Sequence, residues 1–464
     1  MTEDLQAKVD ELAAELEVPG VAVGVLLAGE EGYAYHGVTS VENPLPVDES
    51  TLFQFGSTGK TYTAVAILRL MEQGRLDLDA PVRRYVPELK LKDEDAAEKV
   101  TVLHLLNHTA GWEGDLFDDT GNGDDALARY VERMADLTQT SPPGQVVSYN
   151  NASLSLAGRV IEKVTGSTYE KAMRDLVLDP LGLEHTFFFP NEVMTRRFAV
   201  GHQRHEDGRI TVARPWALPR SGNPAGGMSA NAADQIAWAR FHLGDGTAKD
   251  GKRILAEQTL KRMQQPTVET PGSAIGDAVG ISWLLQDVGG VRLVQHGGTT
   301  IGQLSAFVMV PERDFAFISM TNCSPNGGEL NHRLQAWALE RFLGVKEDEP
   351  SPVKLPADEL AEYVGRYETV AVVCHVNADS GWLSVKTEVK PEAAAILRAA
   401  GEDPDEEQPA IPLAFLDGKP DRFVVPEGPA KGMKGYFVRD ASGRLSGVHL
   451  GGRLATRAAE PAPA

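Results

Sequence analysis

The stretch Phe55-Gly56-Ser57-Thr58-Gly59-Lys60 decides how this chain is read, because it opens a strongly helical run that ends near Gly74. A serine in the first turn of a helix with a lysine three residues on puts hydroxyl and amine on one face and within reach of each other. Serine is a weak nucleophile at its own pKa, and a lysine whose amine is freed by desolvation can act as its base. The helix N-terminus adds backbone N–H groups that stabilise an oxyanion. A lone Ser-x-x-Lys carries little weight, and the chain supplies its own decoy in Ser351-Pro352-Val353-Lys354. There the prolines forbid the helix that would hold both side chains on one face.

Two later motifs give the first one its meaning. Tyr149-Asn150-Asn151 follows Pro142-Pro-Gly and precedes a helical pattern with Leu154, Leu156 and Val160. A tyrosine hydroxyl beside a Ser/Lys pair relays a proton to a leaving group, and an asparagine two residues on binds a substrate amide and holds the lysine. His296-Gly297-Gly298-Thr299 comes straight after an expected strand, Val291–Gln295. Glycines there let substrate backbone lie beside the strand, and the following N–H offers a second oxyanion donor.

Ser-x-x-Lys, Tyr-x-Asn and a His-x-Gly in place of Lys-Thr-Gly, in this order, resemble the serine hydrolases related to penicillin-binding proteins and class C β-lactamases. Leu105-Leu-Asn-His-Thr-Ala-Gly-Trp112 and Ala225-Gly-Gly-Met-Ser-Ala230 resemble two further stretches of that family, and the likeness spans about residues 8 to 345. The resemblance implies Ser57 as nucleophile, Lys60 as its base and Tyr149 as proton carrier. It implies Asn151 holding Lys60 and the substrate amide, and an oxyanion hole from the N–H groups of Ser57 and Thr299. Gly297 and Gly298 would line the substrate, and His296 would stand where relatives put a lysine, weakening carboxylate recognition at neutral pH. His108 reads as a structural turn residue without a nameable partner. No metal or cofactor is called for: the acidic stretch Asp118 to Asp125 lacks the alternating ligands and closing glutamate of a calcium loop.

Strand candidates at residues 21–40, 281–285, 291–295, 304–310 and 315–320 enclose helical segments at 58–73, 124–137, 152–165, 168–177 and 231–244, and a last helix spans about 329–343. This pattern predicts an α/β (α+β) class C β-lactamase-like domain, one antiparallel sheet with a helical region, over residues 1–345. Residues 346–357, charged and proline-rich, read as a linker. Residues 358–459 carry short strands with regular turn signals, an expected small all-β barrel, with an acidic loop from Gly401 and a tail at 460–464. Glu362-Tyr-Val-Gly-Arg-Tyr367 resembles the lipocalin-like domain of some members, including the penicillin-binding-protein-type thioesterases that cyclise nonribosomal peptides. Among the arginines near the chain end, Arg453 is the one preferred as a candidate to reach the cleft and bind the peptide, although a surface side chain is the favoured reading of it.

Length and composition narrow the partners. The 464 residues, 42% hydrophobic and 24% charged, suit a soluble protein of two or three domains, and a net charge of −21 argues against nucleic acid. No basic region followed by an apolar stretch opens the chain, and no run of 18 uncharged apolar residues occurs, which reads as a cytoplasmic protein without membrane contact. Cys323 and Cys374 stand in no redox or zinc spacing. The resemblance therefore implies a serine acyltransferase that macrocyclises a nonribosomal peptide thioester ending in a D-residue, delivered by a peptidyl carrier protein. A D-stereospecific aminopeptidase or amidase, or an esterase, is the alternative. A catalytically silent sensor is a third reading, opposed by the complete Ser57, Lys60 and Tyr149 set.

Overall fold

The computed structural model describes residues 1–458 except 380, 392, 395–408 and 429. The expected acidic loop from Gly401 and the tail at 460–464 lie outside the described residues. Among the described residues no helix is long and apolar enough to cross a membrane.

The first domain is built on one antiparallel sheet. Its strands are β1 (Gly20–Leu27), β2 (Glu30–Gly37), β3 (Val268–Ser273), β4 (Gly276–Val279), β5 (Leu284–Val288), β6 (Val291–Thr299), β7 (Leu304–Val310) and β8 (Phe315–Thr321), in the spatial order β2-β1-β8-β7-β6-β5-β4-β3. Strand β1 is buried on both faces, and alternation sends Val21, Val23 and Val25 one way and Ala22 and Leu26 the other. Val21, Val23 and Val25 meet the terminal helices α1 (Thr2–Glu15) and α5 (Asn326–Leu343) through Leu5, Val9, Leu12, Leu330 and Leu334. Ala22 and Leu26 join the larger core under the helical region, which contains α2 (Gly59–Glu72), α3 (Asn151–Thr165) and α4 (Ala232–Leu243).

Of the boundaries that differ from the sequence pattern, three have a visible physical cause. The strand expected at 281–285 starts only at Leu284, because Ser282 takes a left-handed backbone (φ +57°) and its N–H and hydroxyl both donate to the Leu106 carbonyl. His296 does not follow a strand but lies within β6, which continues to Thr299 by pairing His296 with Phe307 and Gly298 with Ser305. The expected linker is partly structured: Pro352–Val353 pairs with Leu416 and Phe415 of the second domain. Ser351 and Lys354 thus sit on extended chain, with no helical face to share.

The second domain is an eight-stranded antiparallel barrel: β9 (Gly365–Glu368), β10 (Val372–Asp379), β11 (Trp382–Val389), β12 (Ile411–Leu416), β13 (Lys419–Val424), β14 (Lys434–Arg439), β15 (Leu445–Leu450) and β16 (Arg453–Arg457). Each strand pairs with the next, and β16 closes on β9. Tyr363, Tyr367, Phe415, Phe423 and Phe437 pack its interior. Cys374 is buried here and Cys323 in the first domain, both as free thiols. The tight β15–β16 turn at Gly451 and Gly452 points into the first domain, where the Gly452 carbonyl accepts from the Tyr149 N–H at 2.9 Å.

Candidate active site

Ser57 lies in a single 3-10 turn, Gly56–Thr58, that feeds α2. The turn starts at Gly56, whose φ of +55° favours glycine. Two hydrogen bonds pin it to the sheet: Thr58 Oγ1 donates to the His296 carbonyl (3.1 Å) and Ser305 Oγ donates to the Phe55 carbonyl (2.8 Å). Strand β6 passes so close that a Cβ at Gly298 would stand 2.0 Å from the Phe55 oxygen and 2.7 Å from the Ser57 nitrogen. The Thr299 amide is thereby brought beside the turn that carries the Ser57 amide.

The Lys60 amine is fully buried, 2.9 Å from Ser57 Oγ, and donates to the Ala225 carbonyl at 2.7 Å. Burial pushes its pKa well below the ordinary lysine value; the Asp115 charge opposes this and the Arg453 charge assists it. A neutral amine that spends an N–H on Ala225 keeps its lone pair for the Ser57 proton. The pair is arranged as nucleophile and base.

Tyr149 lies just before α3, whose N-cap is Asn150: its side chain accepts from the Ser153 N–H at 2.8 Å and donates to the Trp112 carbonyl at 2.8 Å. His108 turns out to have two partners. Its Nδ1 accepts from the Asn150 N–H (3.1 Å), and its ring lies 4.4 Å from that of Tyr149. Burial holds the Tyr149 phenol well above its usual pKa, with the hydrogen bond to Ser57 and the nearby Arg453 acting the other way. Tyr149 is therefore a proton-bearing phenol, suited to pass a proton rather than to hold a negative charge.

Asn151 differs from expectation. Its amide donates to Asp115 Oδ1 at 2.8 Å, and among the described residues no hydrogen bond joins it to Lys60. The reason is that the first turn of α3 packs on the loop at Gly114, and this carries Asp115 to the amide. Arg453, from the barrel, lines the cleft and is ion-paired with the same Asp115. His296 is buried, and burial first, then Lys60, lowers its pKa to about 3. The ring is neutral at pH 7, and since its Nδ1 donates to the Gly297 carbonyl at 2.6 Å, Nε2 is left as an acceptor. It supplies no positive charge to a substrate carboxylate.

These groups line one cleft of about 700 Å³. Ser57, Tyr149, Asn151, His296 to Thr299 and Arg453 share it with an apolar wall of Leu116, Phe117, Leu218 and Pro219. Phe117 is 69% exposed there. Among the described residues, no group of three or more His, Cys, Asp or Glu side chains converges in a way that would hold a metal ion. Asp115, Asn150 and His108 escaped the sequence reading as members of the site because their partners are 36 to 338 positions away. The faint signal was Gly114, where a side chain would collide with Asn150.

The family model described as Beta-lactamase matches residues 5–341. Penicillin-binding protein 4 of Amycolatopsis lactamdurans is 36% identical over 320 residues, 68% of this chain and 84% of that protein. The solved structure of SurE covers 98% of this chain and 99% of its own, at 27% identity and a TM-score of 0.78; SurE with D-Leu gives 0.77 at 26%. A class C beta lactamase from Rhodobacter sphaeroides shares the fold of 72% of the chain at a TM-score of 0.59. The Ser57–Lys60–Tyr149 cleft thus stands on a class C β-lactamase-like domain, and the chain belongs to the Beta-lactamase family, among the serine hydrolases and acyltransferases of the penicillin-binding-protein superfamily.

Proposed function

We propose that this chain is a serine acyltransferase that releases and macrocyclises a nonribosomal peptide thioester with a D-residue at its C-terminus, presented by a peptidyl carrier protein. The observation that carries the reading is the barrel turn seated on Tyr149, which makes the second domain a wall of the cleft. The likeness to SurE, whose solved structures include one with D-Leu, runs across both domains and supports a D-residue and this two-domain layout.

In this reading Ser57 Oγ attacks the thioester carbonyl while its proton passes to the Lys60 amine. The N–H groups of Ser57 and Thr299 hold the oxyanion. Collapse breaks the C–S bond, and Tyr149 delivers a proton to the departing thiolate, replenished from Lys60. The peptide's own amine then attacks the ester carbonyl, its proton passes by way of Tyr149 to Lys60 and on to Ser57 Oγ, and Ser57 leaves as the hydroxyl. A tethered amine gains over water in effective concentration, in a cleft lined by Arg453 of the barrel and by Leu116, Phe117 and Leu218. The neutral His296 suits a substrate whose C-terminal carboxyl is esterified, since a thioester has no charge for a lysine to meet.

The test is mass spectrometry of products and intact protein after incubation with a peptidyl thioester ending in a D-residue, beside its L-epimer and the Ser57→Ala variant. Macrocycle from the D-epimer alone, lost with Ser57→Ala, is the expected result. Linear acid as the sole product would move the assignment to D-peptidase or esterase chemistry.

A further inference from the structure

The loop that carries Asp115 is clamped to the residues around Tyr149. Gly114 approaches so closely that a Cβ there would stand 2.5 Å from Asn150 Cα and 2.6 Å from the Tyr149 oxygen. Its carbonyl accepts from the N–H groups of Asn151 (3.0 Å) and Ala152 (2.9 Å). Asp115, the next residue, faces two elements at once. Oδ1 accepts from Asn151 Nδ2 (2.8 Å) and from Arg453 Nη2 (3.0 Å), and Oδ2 accepts from Arg453 Nε. This fork-on-carboxylate contact fixes direction as well as distance. On either side of Arg453 the barrel turn is tied down again. Gly452 accepts from the Tyr149 N–H, and the Leu454 N–H donates to Ser148 Oγ at 3.2 Å. The guanidinium stands 5.3 Å from the centre of the Tyr149 ring, and Lys60 Nζ stands 5.0 Å from it.

We propose that Asp115 is a positioning residue shared by the two domains: gripping Arg453 and Asn151 together, it holds the barrel turn on Tyr149 and offsets the guanidinium charge beside Lys60. The proposal rests on the assignment of Ser57, Lys60 and Tyr149 given above. A lone guanidinium near an amine favours its neutral form, a lone carboxylate favours the ammonium, and the pair nearly cancels. The titratable groups around Lys60 are Tyr149, His108, His296, Asp115 and Arg453. Burial keeps the first three uncharged at neutral pH. The Asp115–Arg453 pair is thus the charge that Lys60 feels.

A fluorophosphonate reads Ser57 without knowledge of the natural acyl group. The Oγ–P bond forms as the P–F bond breaks, the hydroxyl proton goes to Lys60 and fluoride leaves. Labelling rates of the full chain, followed by intact mass, rise with pH as Lys60 loses its proton. Arg453→Gln is expected to move this limb to higher pH by about half a unit or more, and Asp115→Asn to lower pH by a similar amount. The double variant should return close to the parent, and Arg453→Lys, which keeps the charge without the fork, should leave the limb in place but lower the plateau. Limbs that stay put in both single variants, shift the same way, or fail to cancel in the double variant would overturn the proposal. Should Asp115→Asn fail to fold by circular dichroism, Arg453→Gln against Arg453→Lys decides, and coincident limbs overturn it. Labelling that persists in Ser57→Ala removes the acyl-enzyme reading and this proposal with it; Ser57-dependent labelling with unshifted limbs removes this proposal alone.

Discussion

The burial that suits Lys60 to the proposed role of base also opposes stability. Its folded pKa is well below the ordinary 10.5, so between the two values the unfolded chain binds more protons than the native one. Stability attributable to this site therefore rises with pH toward 10.5 and is lower at pH 7 than at pH 10. Lys60→Met is expected to abolish Ser57 labelling, a loss of about a thousandfold, the usual scale of a missing general base. Denaturant melts should show Met more favourable relative to Lys at pH 7 than at pH 10, with the gap narrowing as pH rises; a gap independent of pH would mean that the amine is not neutral in the fold. Phe117 makes the opposite case, an apolar ring left 69% exposed at the cleft mouth. Phe117→Ala should raise KM about tenfold for thioesters with bulky apolar side chains near the reacting carbonyl, and leave alanine-rich ones and the melting temperature unchanged. That Ser57, Lys60 and Tyr149 belong together was legible in the chain because a helix turn and a short motif mark these positions locally. Asp115 was not: a lone aspartate after Gly114 acquires its role only from Asn151 and Arg453, 36 and 338 positions on.

Strand β6 and the turn at Ser57 work as a pair, and Gly298 is where they touch. A methyl there would stand 2.0 Å from the Phe55 oxygen, so Gly298→Ala must push the strand away from the nucleophile. Displacing reacting groups by about 1 Å costs on the order of a hundredfold, and labelling of Ser57 should fall accordingly while circular dichroism stays unchanged. The β3–β4 hairpin performs a second task, receiving the barrel. Its Ser273 hydroxyl shares a 3.1 Å hydrogen bond with Nδ1 of His449 on β15. Burial lowers the His449 pKa from its ordinary 6.5 to about 4, so the native chain binds fewer protons than the unfolded one in that window, and stability falls as pH drops through it. His449→Gln should remove on the order of 1–2 kcal/mol of the loss between pH 7 and pH 5, read from denaturant melts at both values. Identical acid sensitivity in the two proteins would place the titrating group elsewhere.

Across the whole molecule, the barrel completes a cleft that the first domain begins. A chain ended after Val345 keeps the sheet, α1 and α5, the part whose fold the class C beta lactamase from Rhodobacter sphaeroides shares. It loses the Gly452 and Leu454 bonds to Tyr149 and Ser148. Such a chain should remain folded by circular dichroism and label at Ser57 at least about tenfold more slowly, and an unchanged rate would deny the barrel any part in the active site. The amino-acid sequence by itself determined the class C β-lactamase-like domain followed by an all-β barrel, and marked Ser57, Lys60 and Tyr149 as candidates, because helix periodicity, strand alternation and turn residues are local and repeat within a few positions. It also placed α2 and α3 close to their observed ends. Only the tertiary structure decided that β6 runs through His296 to Thr299, that His296 is neutral, that Asn151 faces Asp115 and that Arg453 meets the same carboxylate from the other domain. Those outcomes depend on burial and on pairing between distant segments, which no window of sequence contains until the chain has folded.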